Sequence, residues 1–255
     1  MDRRIGQRRA AVIRARGRRR LKVVVGLLVV TALAVGAEAL AHSAWLSARH
    51  LVVVGAVHTP PAEVLRAAGL STHPPLAGLD PGAEAVAVQG LPWVERATVE
   101  RRWPDTVVVD IVERVPVAAV PTARGGEFAL VDASGRVVQW SMTAGPLPLL
   151  RSPAAPGRPG STLGSGAGPG LATVSAAMAI VPGRVHGVAV AADGSVTLDL
   201  GSGIQVLVGA DTGLTAKLDA LASLLAGVAP TGPEVIDVRV PGEPTTSAVG
   251  TPGTG

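Results

Sequence analysis

The chain has 255 residues, a formal net charge of +4 and no cysteine. The missing thiols exclude disulfide staples, thiolate nucleophiles and thiolate metal ligands, so stability has to come from hydrophobic cores. Those cores must be aliphatic, because four tryptophans, one phenylalanine and no tyrosine stand in a chain that is 47% hydrophobic.

The first predicted element is basic. Residues 1–22 carry ten Lys and Arg, from Arg3 to Lys22, against the single acid Asp2, and the run 23–46 that follows has Glu38 as its one charge. About 20 apolar helical residues cross a hydrocarbon core roughly 30 Å thick, so 23–46 is expected to be a single transmembrane helix. Arginines beside a span resist translocation, which puts residues 1–22 in the cytoplasm and everything after Leu46 outside, a single-pass type II arrangement in the cell membrane. Glu38, near the outer end, can snorkel or stay protonated. A cleaved secretory signal with Ala39-Leu40-Ala41 as its processing site competes with this reading, but the apolar run exceeds the roughly 7 to 15 residues of a signal core. A nucleic-acid arm would account for the arginines and not for the apolar run. Beyond Leu46, 13 basic residues face 17 acidic ones, a balance of −4 without a basic nucleic-acid footprint.

Leu51 to Val54 is a β-branched run closed by Gly55 and predicts a strand. Thr59 as cap and Pro60 and Pro61 in the first turn open a helix whose Val64, Leu65 and Ala68 share a face. A second helix is expected from Pro81 to Leu91. Val94, Ala97 and Val99, then Val107, Val109 and Ile111, alternate on either side of Trp103-Pro104-Asp105, which predicts a hairpin. The order strand, helix, helix, strand, strand over residues 50 to 120 predicts a small α+β unit with its helices on one face of a three-stranded sheet. Trp93 and Trp103 are expected to cap its core. Glu113 and Arg114 are expected to form a solvated ion pair.

The set formed by the basic tail, the single span, Trp93-Val94, an arginine before Trp103-Pro104, and Glu113-Arg114-Val115-Pro116 resembles the bacterial cell-division family FtsQ/DivIB. The resemblance implies a βααββ POTRA domain over 49–118 and the family's β domain, a mixed β-sheet with flanking helices, over 119–241. Phe128 to Val131, the turn Asp132-Ala133-Ser134-Gly135 and Val137 to Trp140 predict a hairpin and are similar to the family's V-D-x-x-G-x-V. Leu147-Pro148-Leu149-Leu150 resembles its L-P-x-L step. Residues 151–170, rich in Pro, Gly and Ser, are expected to be a flexible loop. A helix from Leu171 to Ile180, strands at Val185 to Val190, Val196 to Leu200 and Ile204 to Val208, and a helix with Leu214, Leu218, Leu221 and Leu225 on one stripe come next. Val235 to Val240 predicts a last strand, similar to the family's closing I-D-x-R, whose Asp237 and Arg239 are expected to pair on its solvent face, with a disordered tail over 242–255.

Nothing in the sequence assembles a catalytic set, so no enzymatic activity, cofactor or metal is expected. The histidines His42, His50, His58, His73 and His186 lack metal-ligand spacing, and the glycine-rich stretch 164–170 lacks the preceding strand and the lysine of a phosphate loop. An exposed sheet edge is then the remaining device, because unpaired N–H and C=O groups accept a strand from another protein. The resemblance implies FtsB- and FtsL-like divisome proteins, together with septal peptidoglycan synthase components, as partners that dock on the last strand and the helix before it. Leu218, Leu221, Leu225, Val235, Val238, Arg239, Val240, Thr245 and Thr246 are the expected contacts. Pro241 and Pro244 are expected to interrupt pairing beyond Val240. Asp or Pro at Val238 is expected to block capture without unfolding the chain. The expected role is a non-enzymatic bitopic scaffold of the division septum; the alternative is a POTRA-containing envelope-assembly or protein-transport component, whose barrel would need strands of about ten residues.

Overall fold

The computed structural model describes residues 22–39, 46–227 and 232–248. The arginine run up to residue 21, the expected last turns of the span at 40–45 and the chain end from 249 lie outside the described residues. Helix α1, Lys22–Ala39, is long and apolar enough to cross a membrane, and its valines and leucines are exposed all round. At 1.5 Å per residue it measures about 27 Å, close to the hydrocarbon thickness.

Two compact units follow from contact density. One takes in the chain through Val54 with Pro61–Val86 and Thr98–Asp110; the other takes in Gly55–Pro60, Ala87–Ala97 and the chain from Ile111 onward. The first five elements run β1 (His50–Val54), α2 (Pro61–Ala67), α3 (Pro81–Gln89), β2 (Val94–Arg102) and β3 (Thr106–Glu113), the βααββ order expected. Their sheet has the order β1-β3-β2, with β1 parallel to β3 and His50 opposite Thr106. The period-2 alternation of β3 buries Val107, Val109 and Ile111 and exposes Asp110 and Val112. Val64, Ala68, Leu70 and Leu76 are buried in the first unit with Val99, Val107 and Val109.

The remaining strands are β4 (Pro116–Pro121), β5 (Phe128–Asp132), β6 (Val137–Ser141), β7 (Leu149–Arg151), β8 (Gly187–Val190), β9 (Val196–Asp199), β10 (Ile204–Gly209), β11 (Glu234–Asp237) and β12 (Thr245–Ala248). They form one nine-stranded sheet in the order β12-β11-β10-β9-β8-β7-β4-β5-β6. Pairing is parallel at β10/β11, β7/β8 and β4/β7, and antiparallel at the other junctions. Helices α4 (Gly168–Ile180) and α5 (Leu214–Gly227) supply Leu171, Val174, Leu218 and Leu221 to a core shared with Val131, Leu150, Val188, Leu198, Val206 and Ile236. Each such side chain contributes about 1.5–3 kcal/mol by leaving water. Strands β4 and β7 were not legible beforehand, because β4 is bounded by prolines at both ends and β7 has three residues.

Three sequence expectations need correction. The stretch 151–170 is not a free loop. Val137 N–H donates to Ser161 O (2.8 Å), Gly160 N–H to Val137 O (2.8 Å) and Leu163 N–H to Gly135 O (2.8 Å), so the segment runs along the start of β6. Burial of Leu163 and Ala167 holds it there, against the expectation from composition. The supposed tail begins with β12, and Pro241 and Pro244 sit in the connection before it, so pairing resumes at Thr245.

The third correction concerns Thr59, Glu113 and Arg114. Thr59 Oγ1 is buried with no hydrogen-bond partner, so it does not cap α2. Glu113, more than fifty residues away, holds the loop ahead of the helix instead: its carboxylate accepts from the backbone N–H of Val57 (3.0 Å), His58 (2.9 Å) and Thr59 (2.8 Å) and from His58 Nδ1 (2.8 Å). Gly55, with φ +81°, turns the chain into this grip where any Cβ would strike Ile111 O. His58 in turn stacks on Trp93 with ring centroids 4.1 Å apart. Arg114 does not pair with Glu113. Its Nη1 donates to Asp132 Oδ2 at 2.6 Å, both groups nearly buried, while Arg136 Nη2 donates to Gly90 O at 2.9 Å.

Partial burial alone would raise the Glu113 carboxyl, but the N–H groups of Thr59, His58 and Val57 and the His58 ring outweigh it and lower its pKa from 4.5 to about 2. A depressed carboxylate contributes stability that is complete above the unfolded pKa and is lost as pH falls through the folded one. Glu113→Gln is therefore expected to be less stable than the wild type at pH 7, with the gap shrinking between about pH 4.5 and pH 2. Urea midpoints of the two proteins at pH 7, 4 and 2.5 measure it; a gap that persists unchanged at pH 2.5 would contradict the assignment.

Candidate partner-binding edge

Strand β12 is the end of the nine-stranded sheet. It pairs antiparallel with β11, placing Thr245 opposite Asp237, Thr246 opposite Ile236, Ser247 opposite Val235 and Ala248 opposite Glu234. All four β12 residues are exposed, and the strand's other edge has no strand partner among the described residues. In an extended strand successive residues direct N–H and C=O to opposite sides, so alternate residues of Thr245–Ala248 offer both groups outward.

At the opposite margin the sheet ends differently. Gly160 and Ser161 bond the backbone of Val137 at the start of β6, and Trp140 Nε1 donates to Gly157 O at 3.2 Å. The start of one edge is thus met by the chain's own loop, and the other has no strand partner among the described residues.

The expected contact residues divide into two groups. Leu218, Leu221 and Leu225 are buried in the core, so the apolar stripe of α5 is spent on packing against the sheet and presents no side chain to a partner. Val238 is 0% exposed and its N–H donates to Leu207 O at 3.1 Å, so it belongs to the core as well. The expectation that Asp at Val238 would leave the fold intact is corrected accordingly. β11 itself ends at Asp237 and is flanked on both sides, by β10 and β12, so it is not the edge. Val235 is half-buried, while Arg239, Val240, Thr245 and Thr246 are exposed and lie together on the β11–β12 hairpin.

Local chemistry fixes that hairpin. Arg239 donates from its backbone N–H (3.0 Å) and from Nε (3.0 Å) to Asp237 Oδ1, the solvent-face pair the sequence suggested. The Arg239 guanidinium holds the Asp237 carboxyl below the usual carboxylate range and is itself held up by it. Gly209, at a register shift in β10 with φ +68°, gives the Arg239 stem its path; a Cβ there would lie 3.0 Å from Arg239 Cγ.

Sequence reasoning missed Lys217. It sits on α5, 6% exposed, and its Nζ donates to Val208 O (3.0 Å) and Ala210 O (2.7 Å), tying the first turn of the helix to the end of β10. One of two lysines in an arginine-rich chain, placed one residue before a core leucine, was the available signal. Among the described residues no group of His, Asp and Glu is arranged to hold a metal ion.

Comparison with known proteins adds a separate observation. Residues 46–114 match the family model for the POTRA domain, FtsQ-type, and residues 119–239 match that for cell division protein FtsQ/DivIB, C-terminal. The chain is 31% identical to cell division protein FtsQ of Streptomyces collinus over 91% of its own length and 90% of that protein's. It is 33% identical to the FtsQ of Mycolicibacterium smegmatis over 81% of its own length and 60% of the relative, and 30% identical to that of Corynebacterium glutamicum over 46% and 52%.

Truncating Lys217 to Ala strands the Val208 and Ala210 carbonyls, which costs about 1–3 kcal/mol. Val238→Asp, which buries a charge, is expected to abolish cooperative unfolding or lower stability by several kcal/mol. The exposed Thr246→Ala is expected to stay within about 0.5 kcal/mol of wild type. Chemical denaturation of the three variants tests this ranking, and a Val238→Asp protein as stable as Thr246→Ala would contradict it.

Proposed function

The chain belongs to the FtsQ/DivIB family of bacterial cell division proteins, and on that premise we propose that it is a non-enzymatic, single-pass scaffold of the division septum. In this reading α1 anchors it in the cell membrane with the basic tail in the cytoplasm and both folded units outside. FtsB- and FtsL-like divisome proteins add a strand to β12, and through them septal peptidoglycan synthase components are brought to the same assembly.

The observation that carries the reading is the asymmetry of the sheet: Gly160 and Ser161 bond the start of β6, whereas β12 is exposed and, among the described residues, has no strand on its outer side. A partner strand would take its backbone bonds from β12, with Arg239 and Val240 of the hairpin beside the junction and Val235 beneath Ser247. Leu218, Leu221, Leu225 and Val238 support the edge from within the core. The transport alternative gains nothing from strands of three to six residues in an open sheet, where a membrane barrel needs about ten.

Proline replacement at Thr245, Thr246 and Ser247, one at a time, tests the edge. At least one of the three directs its N–H outward, so its loss is expected to weaken capture of the FtsB-like partner at least about tenfold while the thermal midpoint is unchanged. If all three capture normally, partners do not dock on β12. A reporter fused after Gly255 is expected to be active only outside the cytoplasm, and a fluorescent fusion is expected to form a midcell band; a cytoplasmically active reporter would overturn the topology.

A further inference from the structure

The backbone of β11 decides which residues of β12 face outward. Val238 N–H donates to Leu207 O on β10 at 3.1 Å. Along an extended chain successive residues turn their N–H and C=O to opposite sides, so Ile236 and Glu234 also turn toward β10, and Asp237 and Val235 toward β12. The register sets Asp237 opposite Thr245 and Val235 opposite Ser247. Thr245 and Ser247 therefore direct their backbone groups to β11, which leaves those of Thr246 and Ala248 pointing away from the sheet. Pro244, next in that alternation, has no N–H to offer.

The side chains at this margin follow from the same register. Glu234, Ile236 and Val238 share one face, and Ile236 and Val238 are fully buried in the core. Ala248 lies opposite Glu234 and Thr246 opposite Ile236, so both sit on that face, and both are exposed. Glu234 is half-buried, and among the described residues its carboxylate has no hydrogen bond or ion pair. Adjacent strands lie about 4.8 Å apart, so a residue opposite Ala248 on a strand added to β12 starts about 10 Å from Glu234, with only a methyl group between them. Arginine and lysine are long enough to cross that gap, and a partly desolvated carboxylate without a counter-charge favours their approach.

The charges around the margin have the same sign. Residues 201–248 carry Asp211, Asp219, Glu234, Asp237 and Glu243 against Lys217 and Arg239. Both cations are committed, Lys217 to Val208 O and Ala210 O, and Arg239 to Asp237. The neighbouring strand β9 adds Asp199, and the preceding cation in the chain, Arg184, leads into β8, four strands in from β12. Residues 111–160, which hold the other end of the sheet, have five arginines against three acids. The two ends therefore differ in sign, and a basic strand is drawn to β12 and away from β6.

We propose that the strand received by β12 is basic: it takes its backbone bonds from Thr246 and Ala248 and places a lysine or arginine opposite Ala248, where that side chain pairs with Glu234. The proposal rests on the reading of β12 as the docking edge and adds the chemistry of the partner. Binding of the full-length chain in bilayer nanodiscs to the FtsB-like protein, measured at about 50 and about 500 mM NaCl, provides the test. Wild-type affinity is expected to fall at least about fivefold at the higher salt. Glu234→Gln is expected to weaken binding at low salt about two- to fivefold, and Glu234→Lys at least about tenfold. Affinity indifferent to salt, or Glu234→Gln and Glu234→Lys that both bind as the wild type does, overturns the basic partner. Amide exchange in the free chain is expected to be slower at Thr245 and Ser247 than at Thr246 and Ala248, and the reverse order overturns the register. Thr246→Pro separates the two readings: binding lost there but unaffected by the Glu234 variants refutes the proposal alone, and undiminished binding refutes the edge and the proposal with it.

Discussion

A β-sheet that does not close on itself ends in two strands whose outward N–H and C=O groups must be covered, solvated or shared with another chain. The nine-stranded sheet meets this constraint in two different ways. Residues 157–163 lie along β6, satisfying Val137 and the Trp140 indole, and Leu163 keeps them in place by entering the core. β12 has β11 on one side and, among the described residues, no strand on the other. Threonine and serine suit such a margin, being tolerated in strands and soluble when unpaired, and their short side chains leave the backbone open to approach.

A chain without cysteine has to secure its connections by other means. Glu113 gathers three consecutive N–H groups of the loop before α2, a helix of seven residues that would be marginal alone. Arg114, the next residue, closes on Asp132, whose Oδ1 also accepts from Ser134 N–H (2.9 Å) and Arg136 N–H (2.9 Å) and so builds the turn between β5 and β6. Lys217 does the same for α5 and β10. Each tie uses a charged group that is largely removed from water and answered by several hydrogen bonds, which is the condition under which a buried charge is tolerated.

The aliphatic core frees the aromatic residues for other places. Trp93 stacks on His58, Trp140 lies beneath the Arg124 guanidinium at 5.0 Å, and Trp103 projects from a turn. All three stand at joints or surfaces, whereas the interior is filled by Val, Leu, Ile and Ala.

The local signals were strong where one residue type and one period decide the outcome. The apolar run of α1, the alternation of Val107, Val109 and Ile111, the leucine stripe of α5 and the Asp237–Arg239 pair were all legible, because each depends on neighbours within a turn or a strand. The family resemblance was legible from the set around Trp103-Pro104 and Glu113-Arg114 for the same reason. Decided only by the tertiary structure were the destination of the α5 stripe and Val238, which face inward, the order imposed on 151–170 by Leu163, and the partners of Glu113 and Arg114 dozens of residues away. Composition cannot foresee these, since a hydrogen bond or a buried side chain across the sheet depends on which strands become neighbours. The open margin is the plainest case: the sequence determined that a last strand would exist, and the pairing of β11 with both β10 and β12 decided that the exposed backbone belongs to Thr245–Ala248.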